Sequence, residues 1–333
     1  MIKPKKFDEA ETIYTPLEVA TSGLEYVQKL RDTKIRSLGI GIAGLRDYFA
    51  PLMPGQVAAV IGQTSHYKSG FLHYVEHVNA LQLMAEGRDN EALIHVSVEE
   101  DIEEQAFLEF ARFTGENVGE MAHGNILDWE KMTRAAVKIG TIPIYRIGES
   151  LTRGENMPNL YLSNIIAALE YMVKTFNVVP AGIYFDYLQA FPIDPEIKQS
   201  SHDQQRRLQV REDVYRLRRA AKYFKCPVWV AVQAKQKLDG APSANFYMPG
   251  VYDGEETSGI AQRFDRIITL WMPKMTHPSG SIISYGAYMT AVEDNVLFIR
   301  VAKQRGGLPS GRMWKCRVEY QTNTIAPEME VSK

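Results

Sequence analysis

Gly62-Gln63-Thr64-Ser65-His66-Tyr67-Lys68-Ser69 is the stretch on which the reading of this chain turns. Before it, Gln56-Val57-Ala58-Ala59-Val60-Ile61 is apolar from Val57 onward and stops at Gly62, which reads as a short buried strand. After it, Gly70-Phe71-Leu72-His73-Tyr74-Val75 opens a helix. A tight loop between strand and helix lets backbone N–H groups and a helix N-terminus cradle an anion. In that reading residues 62–70 enclose a nucleotide, Lys68 reaches its outer phosphates and Ser69 holds Mg²⁺. One position departs from the pattern G-x-x-x-x-G-K-S/T, because Tyr67 stands where the second glycine belongs. A side chain there needs a permitted backbone conformation and room beside the phosphates. Taken alone, the stretch is equally compatible with an ordinary strand-to-helix turn.

Composition bounds the alternatives. A chain of 333 residues is long enough for one large α/β domain with an appendage, or for two domains. With 45% hydrophobic and 23% charged residues it has an ordinary globular composition. No apolar run approaches the roughly 20 residues of a membrane span, so no membrane partner is expected. The basic start, Met1-Ile2-Lys3-Pro4-Lys5-Lys6, is not followed by an apolar stretch and is not a secretory signal. Cys226 and Cys316 are the only cysteines, both in strand-like surroundings, which points to reduced thiols and a cytoplasmic setting. A net charge of −2 means that any contact with DNA must come from a local patch.

Working outward toward the N-terminus, residues 1–14 read as a polar arm and Thr15-Pro16-Leu17-Glu18 as a helix start with a capping box. Leu17, Ala20, Leu24, Val27 and Leu30 then form a narrow apolar stripe over 16–30. Such a stripe packs either on its own domain or in the groove of a neighbouring subunit. Residues 1–36 are read as arm and linker helix, 37–325 as the main domain and 326–333 as a tail.

Toward the C-terminus, helix 70–86 contains His73-Tyr74-Val75-Glu76-His77, a formal match to the zinc signature H-x-x-E-H. Its place behind a phosphate loop makes plain helix-face residues the better reading. Ala92–Val98 is a second buried strand, ending in Glu99-Glu100-Asp101 ahead of an amphipathic helix. A carboxylate at a strand tip beside a phosphate loop could orient and deprotonate a water molecule, while carboxylates at a helix start also suit its dipole. Residues 115–140 look helical, 142–147 form a strand and 160–176 a helix. Ala181-Gly182-Ile183-Tyr184-Phe185-Asp186 is a strand ending in an aspartate, the form of a Walker B element in which Asp186 supports Mg²⁺. Residues 191–210, with Lys198, Arg206 and Arg207, read as a long loop or broken helix, and 211–224 as a basic helix. Pro227–Gln233 is a strand, 236–257 with Lys237 a loop, and 267–271, 296–302 and 311–320 are further strands.

The ordered set of elements resembles the RecA-like motor domain of DnaB-type replicative helicases over roughly residues 37–320. It is carried by the phosphate loop, Ser97-Val98-Glu99, Asp186-Tyr187-Leu188-Gln189, Gln233, Ser258-Gly259 and Lys303-Gln304-Arg305. The resemblance implies a P-loop fold with a mostly parallel sheet flanked by helices, ATP and Mg²⁺ as ligands, and a ring, taken as a hexamer by analogy, on single-stranded DNA. It implies Glu99 as the base, with Glu100 as fallback, and Gln233 as a residue that senses the γ-phosphate or couples it to the DNA loops. Lys303 and Arg305 would face the neighbouring subunit's nucleotide, Arg305 as arginine finger. Lys198, Arg206, Arg207 and Lys237 would lie in DNA-contacting loops. The resemblance further leads to the expectation that the primase-recruiting N-terminal domain of bacterial members is absent, which would suit a phage-encoded protein in a host cytoplasm, with a primase or loader as partner. Three activities fit: an ATP-driven helicase or translocase, a recombinase-like or loader-like ATPase that does not unwind, and a nucleotide-binding scaffold that Tyr67 has deprived of turnover.

Overall fold

The computed structural model describes residues 13–31, 38–126, 128–152, 160–194, 202–235, 247–254, 261–306 and 309–331. In chain order the elements are α1 (Pro16–Arg31), α2 (Leu45–Tyr48), β1 (Val57–Gly62), α3 (Lys68–Ala85), β2 (Glu91–Ser97), α4 (Ile102–Thr114), α5 (Val118–Ala122), α6 (Trp129–Ile139) and β3 (Ile144–Ile147). They continue with α7 (Leu162–Phe176), β4 (Val179–Asp186), α8 (His202–Tyr223), β5 (Val228–Gln233), β6 (Arg266–Trp271), β7 (Ile282–Tyr285), β8 (Tyr288–Ala291), β9 (Val296–Gln304), β10 (Met313–Glu319) and β11 (Thr324–Val331).

β1 is buried along its whole length, which its uninterrupted apolar sequence permits only at the centre of a sheet covered on both faces. It lies there, in a sheet ordered β11-β10-β9-β6-β1-β5-β4-β2-β3. The pairs from β3 across to β6 are parallel, whereas β9, β10 and β11 join antiparallel. Side chains alternate between two cores. On β5, Trp229 and Ala231 face the layer that holds Phe71, Leu72 and Val75 of α3. Val228, Val230 and Val232 face Leu162, Ile165 and Leu169 of α7 and Val214 and Leu217 of α8. Neighbours β5 and β6 of the central strand both come later in the chain, so a crevice opens at the carboxyl ends of β1, β4 and β5, where doubly wound sheets bind ligands.

Several expectations change. Residues 326–331 are no tail, because they form the greater part of β11, which pairs with β10 and closes the edge of the sheet. Of the stretch expected as a long loop or broken helix, residues 202–210 are helix: α8 begins at His202, nine residues before the expected start at Arg211, and Gln209 and Asp213 are buried polar members of its inner face. The hairpin β7–β8 is an addition between β6 and β9. Thr15 and Glu18 make the expected capping box, with Glu18 N donating to Thr15 Oγ1 at 3.3 Å and Thr15 N to Glu18 Oε2 at 2.7 Å. The stripe on α1 does not pack on its own domain: Leu17, Leu24 and Val27 are 75%, 70% and 60% exposed. Cys226 and Cys316 are both buried free thiols. Among the described residues, no helix is long and apolar enough to cross a membrane.

Candidate nucleotide-binding site

The loop 63–67 joins β1 to α3, and Lys68, Ser69 and Gly70 are the first three residues of that helix. Their N–H groups have no intrahelical acceptor, and no side chain caps the helix. They border a cavity of about 360 Å³ that Thr64, Lys68, Ser69, Glu99, Tyr187 and Gln233 help to line. A helix N-terminus with open N–H groups at the mouth of such a cavity is built for an anion.

Lys68 is buried and already oriented. Its Nζ donates to the Gln63 carbonyl and to Gln233 Oε1, both at 2.8 Å. Burial lowers its pKa to about 8 against the opposing pull of Asp186 and Glu99. Gln233, at the end of β5, also donates through Nε2 to Thr64 Oγ1 at 2.8 Å. Its backbone N–H donates to Gln189 Oε1 at 3.0 Å, and its carbonyl accepts from Gln189 Nε2 at 3.3 Å. Gln233 therefore joins the phosphate loop, β5 and the segment after Asp186 in one hydrogen-bonded unit. Gln189 belongs to the quoted Asp186–Gln189 stretch, but its amide bracket on Gln233 depends on β4 and β5 being neighbours.

Asp186 ends β4 and is buried, which raises its pKa, while the Ser69 hydroxyl opposes the rise. Neither carboxyl oxygen has a hydrogen-bond partner of good geometry. A buried, unpartnered carboxylate beside a hydroxyl is the donor set that a hard divalent cation such as Mg²⁺ completes. Ser69 and Asp186 fit that ion on this observation.

The two candidate bases separate. Glu99 is exposed at the cavity, and burial followed by the charges of Asp186 and Glu100 raises its pKa. Glu100 is turned away, with Oε2 3.3 Å from His73 Nε2, and does not line the cavity. Of the two, Glu99 is the one at the cavity.

Other expected residues need correction. The His66 side chain does not face the cavity: it is buried, with Nδ1 accepting from the Met272 N–H at 2.9 Å. Burial and the charge on Lys68 lower its pKa to about 4, so it stays neutral. The side chain of Gln63 reaches the Lys235 carbonyl at 3.2 Å. Tyr67 adopts the left-handed conformation, φ 66° and ψ 28°, that a glycine takes without strain. Its ring packs edge-on to Tyr320, centroids 5.9 Å apart, and its hydroxyl donates to Asn323 Oδ1. Gly70 makes room for that ring, since a Cβ at Gly70 would lie 2.6 Å from it.

Lys303 and Arg305 are not at this site. Lys303 Nζ donates to the Ala261 carbonyl at 2.8 Å, and Arg305 Nη1 lies 3.2 Å from Asp265 Oδ1. Arg305 follows Gln304, which pairs with Arg266, which in turn pairs with Ala58 near the start of β1. The phosphate loop begins four residues further on, about 13 Å along a strand. Both side chains thus sit at the foot of the strand whose head carries the loop.

The expected DNA residues divide. Lys198 and Lys237 lie outside the described residues. Arg206 is half-buried and tied to the Phe191 carbonyl at 2.7 Å, and Arg207 is exposed, on α8 rather than on a loop. Arg216 and Arg218 of the basic helix are also spent internally, on Asp194 at 2.9 Å and on the Arg263 carbonyl at 2.5 Å.

His73, Glu76 and His95 form a buried cluster that the zinc-like sequence pattern did not foresee in this form. His77 is not part of it, since its Nδ1 faces Glu109 Oε2 at 3.2 Å. His73 and His95 are stacked, centroids 4.4 Å apart and planes 11° from parallel. An imidazole binds a metal in its own plane at about 2.0–2.1 Å, and two nearly parallel planes cannot both contain one ion. The cluster is an ionic network rather than a zinc site.

No protein-family model matches this sequence, and no curated protein sequence matches it. Solved structures do. A DnaB-like replicative helicase, studied together with its interactions with primase, is similar over 92% of this chain, with a TM-score of 0.68 and 14% identity. The chain spans 66% of the length of that helicase chain. The ATPase domain of a second helicase is similar over 93% of this chain and 99% of its own, with a TM-score of 0.69 and 13% identity. The fold is therefore the RecA-like fold of helicase ATPase domains.

Proposed function

We propose that this chain is the ATP-hydrolysing motor of a ring-shaped helicase or translocase that moves on single-stranded DNA in replication. One observation supports it above the others: Lys68, Ser69, Glu99 and Gln233 converge on one cavity, with Asp186 beside Ser69, at the strand ends of a RecA-like helicase fold. Lys68 would neutralise the outer phosphates and Gln233 would register their presence through its bonds to Lys68 and Thr64. Ser69 and Asp186 would hold Mg²⁺, which supplies charge stabilisation to the transferring phosphoryl group. Glu99 would orient water and accept its proton. Arg305 lies too far from its own phosphate loop to serve it, so in this reading it acts on a neighbouring subunit's nucleotide. The uncovered stripe of α1 supports the same assembly, as a helix that docks on the next subunit. Ring size, taken as six, and a primase or loader as partner belong to this proposal.

ATP hydrolysis with and without single-stranded DNA, across protein concentration, tests the reading. Turnover should rise with DNA and more than linearly with protein, and Glu99→Gln should lower kcat by about 10²–10⁴-fold. Turnover without strand displacement would favour a loader-like or recombinase-like ATPase. Tight ATP binding with no turnover under any condition would favour the scaffold that Tyr67 suggests.

A further inference from the structure

The reading above needs one carboxylate free and its neighbour held. The turn Glu99-Glu100-Asp101 could present either glutamate to the phosphates, since adjacent side chains on a turn exchange places with small backbone rotations. What fixes the choice is beneath the turn.

Glu100 is anchored three times. Its N–H and that of Glu99 donate to Ser97 Oγ at 3.0 and 3.3 Å. Its carbonyl accepts from Gln105 Nε2 at 2.9 Å, and Arg146 Nη1 holds Gln105 Oε1 at 2.9 Å. Its carboxylate meets His73, which is wholly buried on α3. His73 reaches in two directions: Nε2 is 3.3 Å from Glu100 Oε2, and Nδ1 is 3.7 Å from Glu76 Oε2. The contact with Glu100 is within hydrogen-bond range, whereas that with Glu76 is a longer ion pair, and an imidazole protonated on both nitrogens faces a carboxylate on each side.

We propose that His73 is a positioning residue for hydrolysis: clamped between Glu76 and Glu100, it pins Glu100 to α3 and so leaves Glu99 as the single carboxylate at the phosphates. The proposal deepens the hydrolytic reading and rests on it.

The surroundings support this assignment from every side of His73. On α3 itself Glu76 is fully buried, and from β2 His95 stacks on the ring while its Nδ1 lies 3.3 Å from Glu76 Oε2. From β3, Arg146 lies 3.9 Å from Glu76, and from α4 Arg112 Nη2 donates to the His73 carbonyl at 3.2 Å. Asp186 of β4 adds a further negative charge nearby when ionised. Burial opposes charge on His73, but the carboxylates of Glu100 and Glu76 outweigh it and lift its pKa to about 9. On His95 burial prevails over the pull of Glu76 and lowers its pKa, so the two stacked rings are shifted in opposite directions. Glu100 is correspondingly held below its ordinary value, because the His73 bond outweighs burial. A charge-assisted hydrogen bond from a fully buried ring to a partly buried carboxylate is among the stronger contacts that can hold a turn.

The test compares the full chain with His73→Gln, which keeps a donor without the charge, and His73→Leu, which keeps neither. The readouts are steady-state ATP turnover with DNA and the ring N–H resonances of His73. The expected kcat order is wild type, then Gln, then Leu, with a loss on the order of tenfold or more for Leu and KM for MgATP within about twofold. Glu100→Ala introduced into His73→Leu, which removes the carboxylate that the clamp no longer holds, should recover part of the lost kcat. In the wild type, a downfield, exchange-protected His73 ring proton should appear and should shift upfield in Glu100→Gln. Wild-type kcat in folded His73→Leu overturns the proposal, as does a loss confined to KM or a double variant no more active than His73→Leu. If the wild type shows no turnover at all, the hydrolytic reading has failed; a His73 proton unaffected by Glu100→Gln refutes the clamp itself.

Discussion

Tyr67 holds a left-handed backbone, at a cost of about 1 kcal/mol relative to glycine. Its ring offsets that cost by filling the gap over Gly70 and by meeting Tyr320 and Asn323 in the turn between β10 and β11. The phosphate loop is thereby fastened to the far, antiparallel part of the chain. Tyr67 and Gly70 should behave as one unit. Gly70→Ala drives a Cβ into the ring at 2.6 Å and should destabilise the protein by about 1–3 kcal/mol. In a Tyr67→Gly background the same change should cost much less, because the obstacle is gone. Urea unfolding of the two single variants and the double variant closes the cycle; strictly additive values would break the link between the two positions.

At the level of elements, α8 shows how a buried polar stripe hides a helix. Gln209 Nε2 donates to Asp213 Oδ1 at 2.6 Å, and Gln209 Oε1 accepts from the Asp194 N–H at 2.9 Å. Both side chains are fully buried, and burial pushes the Asp213 pKa up to about 7, against the Gln209 bond and the charges of Arg216 and Arg206. The consequence for pH has a definite sign. Between its ordinary value of 3.8 and about 7, the folded protein keeps a proton that the unfolded chain has released, so this residue's contribution to stability falls as pH rises through that window. Asp213→Asn keeps the acceptor and removes the ionisation. It should raise unfolding stability by about 1–3 kcal/mol at pH 8 and leave it nearly unchanged near pH 4. Thermal unfolding at the two pH values checks this, and an equal effect at both would rule the cause out.

On the scale of the whole molecule, the sheet separates two parts of the proposed mechanism. The phosphate loop lies at the head of β1, whereas Arg305, paired with Asp265, lies at its foot. Completion of a site by a second subunit makes a direct prediction. Lys68→Ala and Arg305→Ala should each abolish turnover for different reasons, with Arg305→Ala still folded and able to bind nucleotide. Mixed and allowed to exchange subunits, the two inactive proteins should regain part of the DNA-stimulated ATPase, because some interfaces then hold an intact Lys68 and an intact Arg305. A mixture as inactive as its components would place Arg305 outside the catalytic event.

What the sequence determined by itself was local: the buried run of β1, the loop after Gly62, the strand ending at Asp186, and the cap at Thr15 and Glu18. These follow from apolar period, turn chemistry and hydrogen bonds between residues a few positions apart, none of which needs the rest of the chain. The order of motifs carried the fold as a resemblance, and the solved helicase structures bear that fold out. Tertiary structure alone decided the rest. It turned Glu100 toward His73 and left Glu99 at the cavity, turned His66 inward to Met272 and placed Arg305 at the foot of β1. It also joined Gln189 to Gln233 and drew residues 324–331 into the sheet as β11. The physical reason is common to all of these: each depends on which strands lie side by side. Strand order brings together residues tens or hundreds of positions apart, and no local pattern in the chain records it.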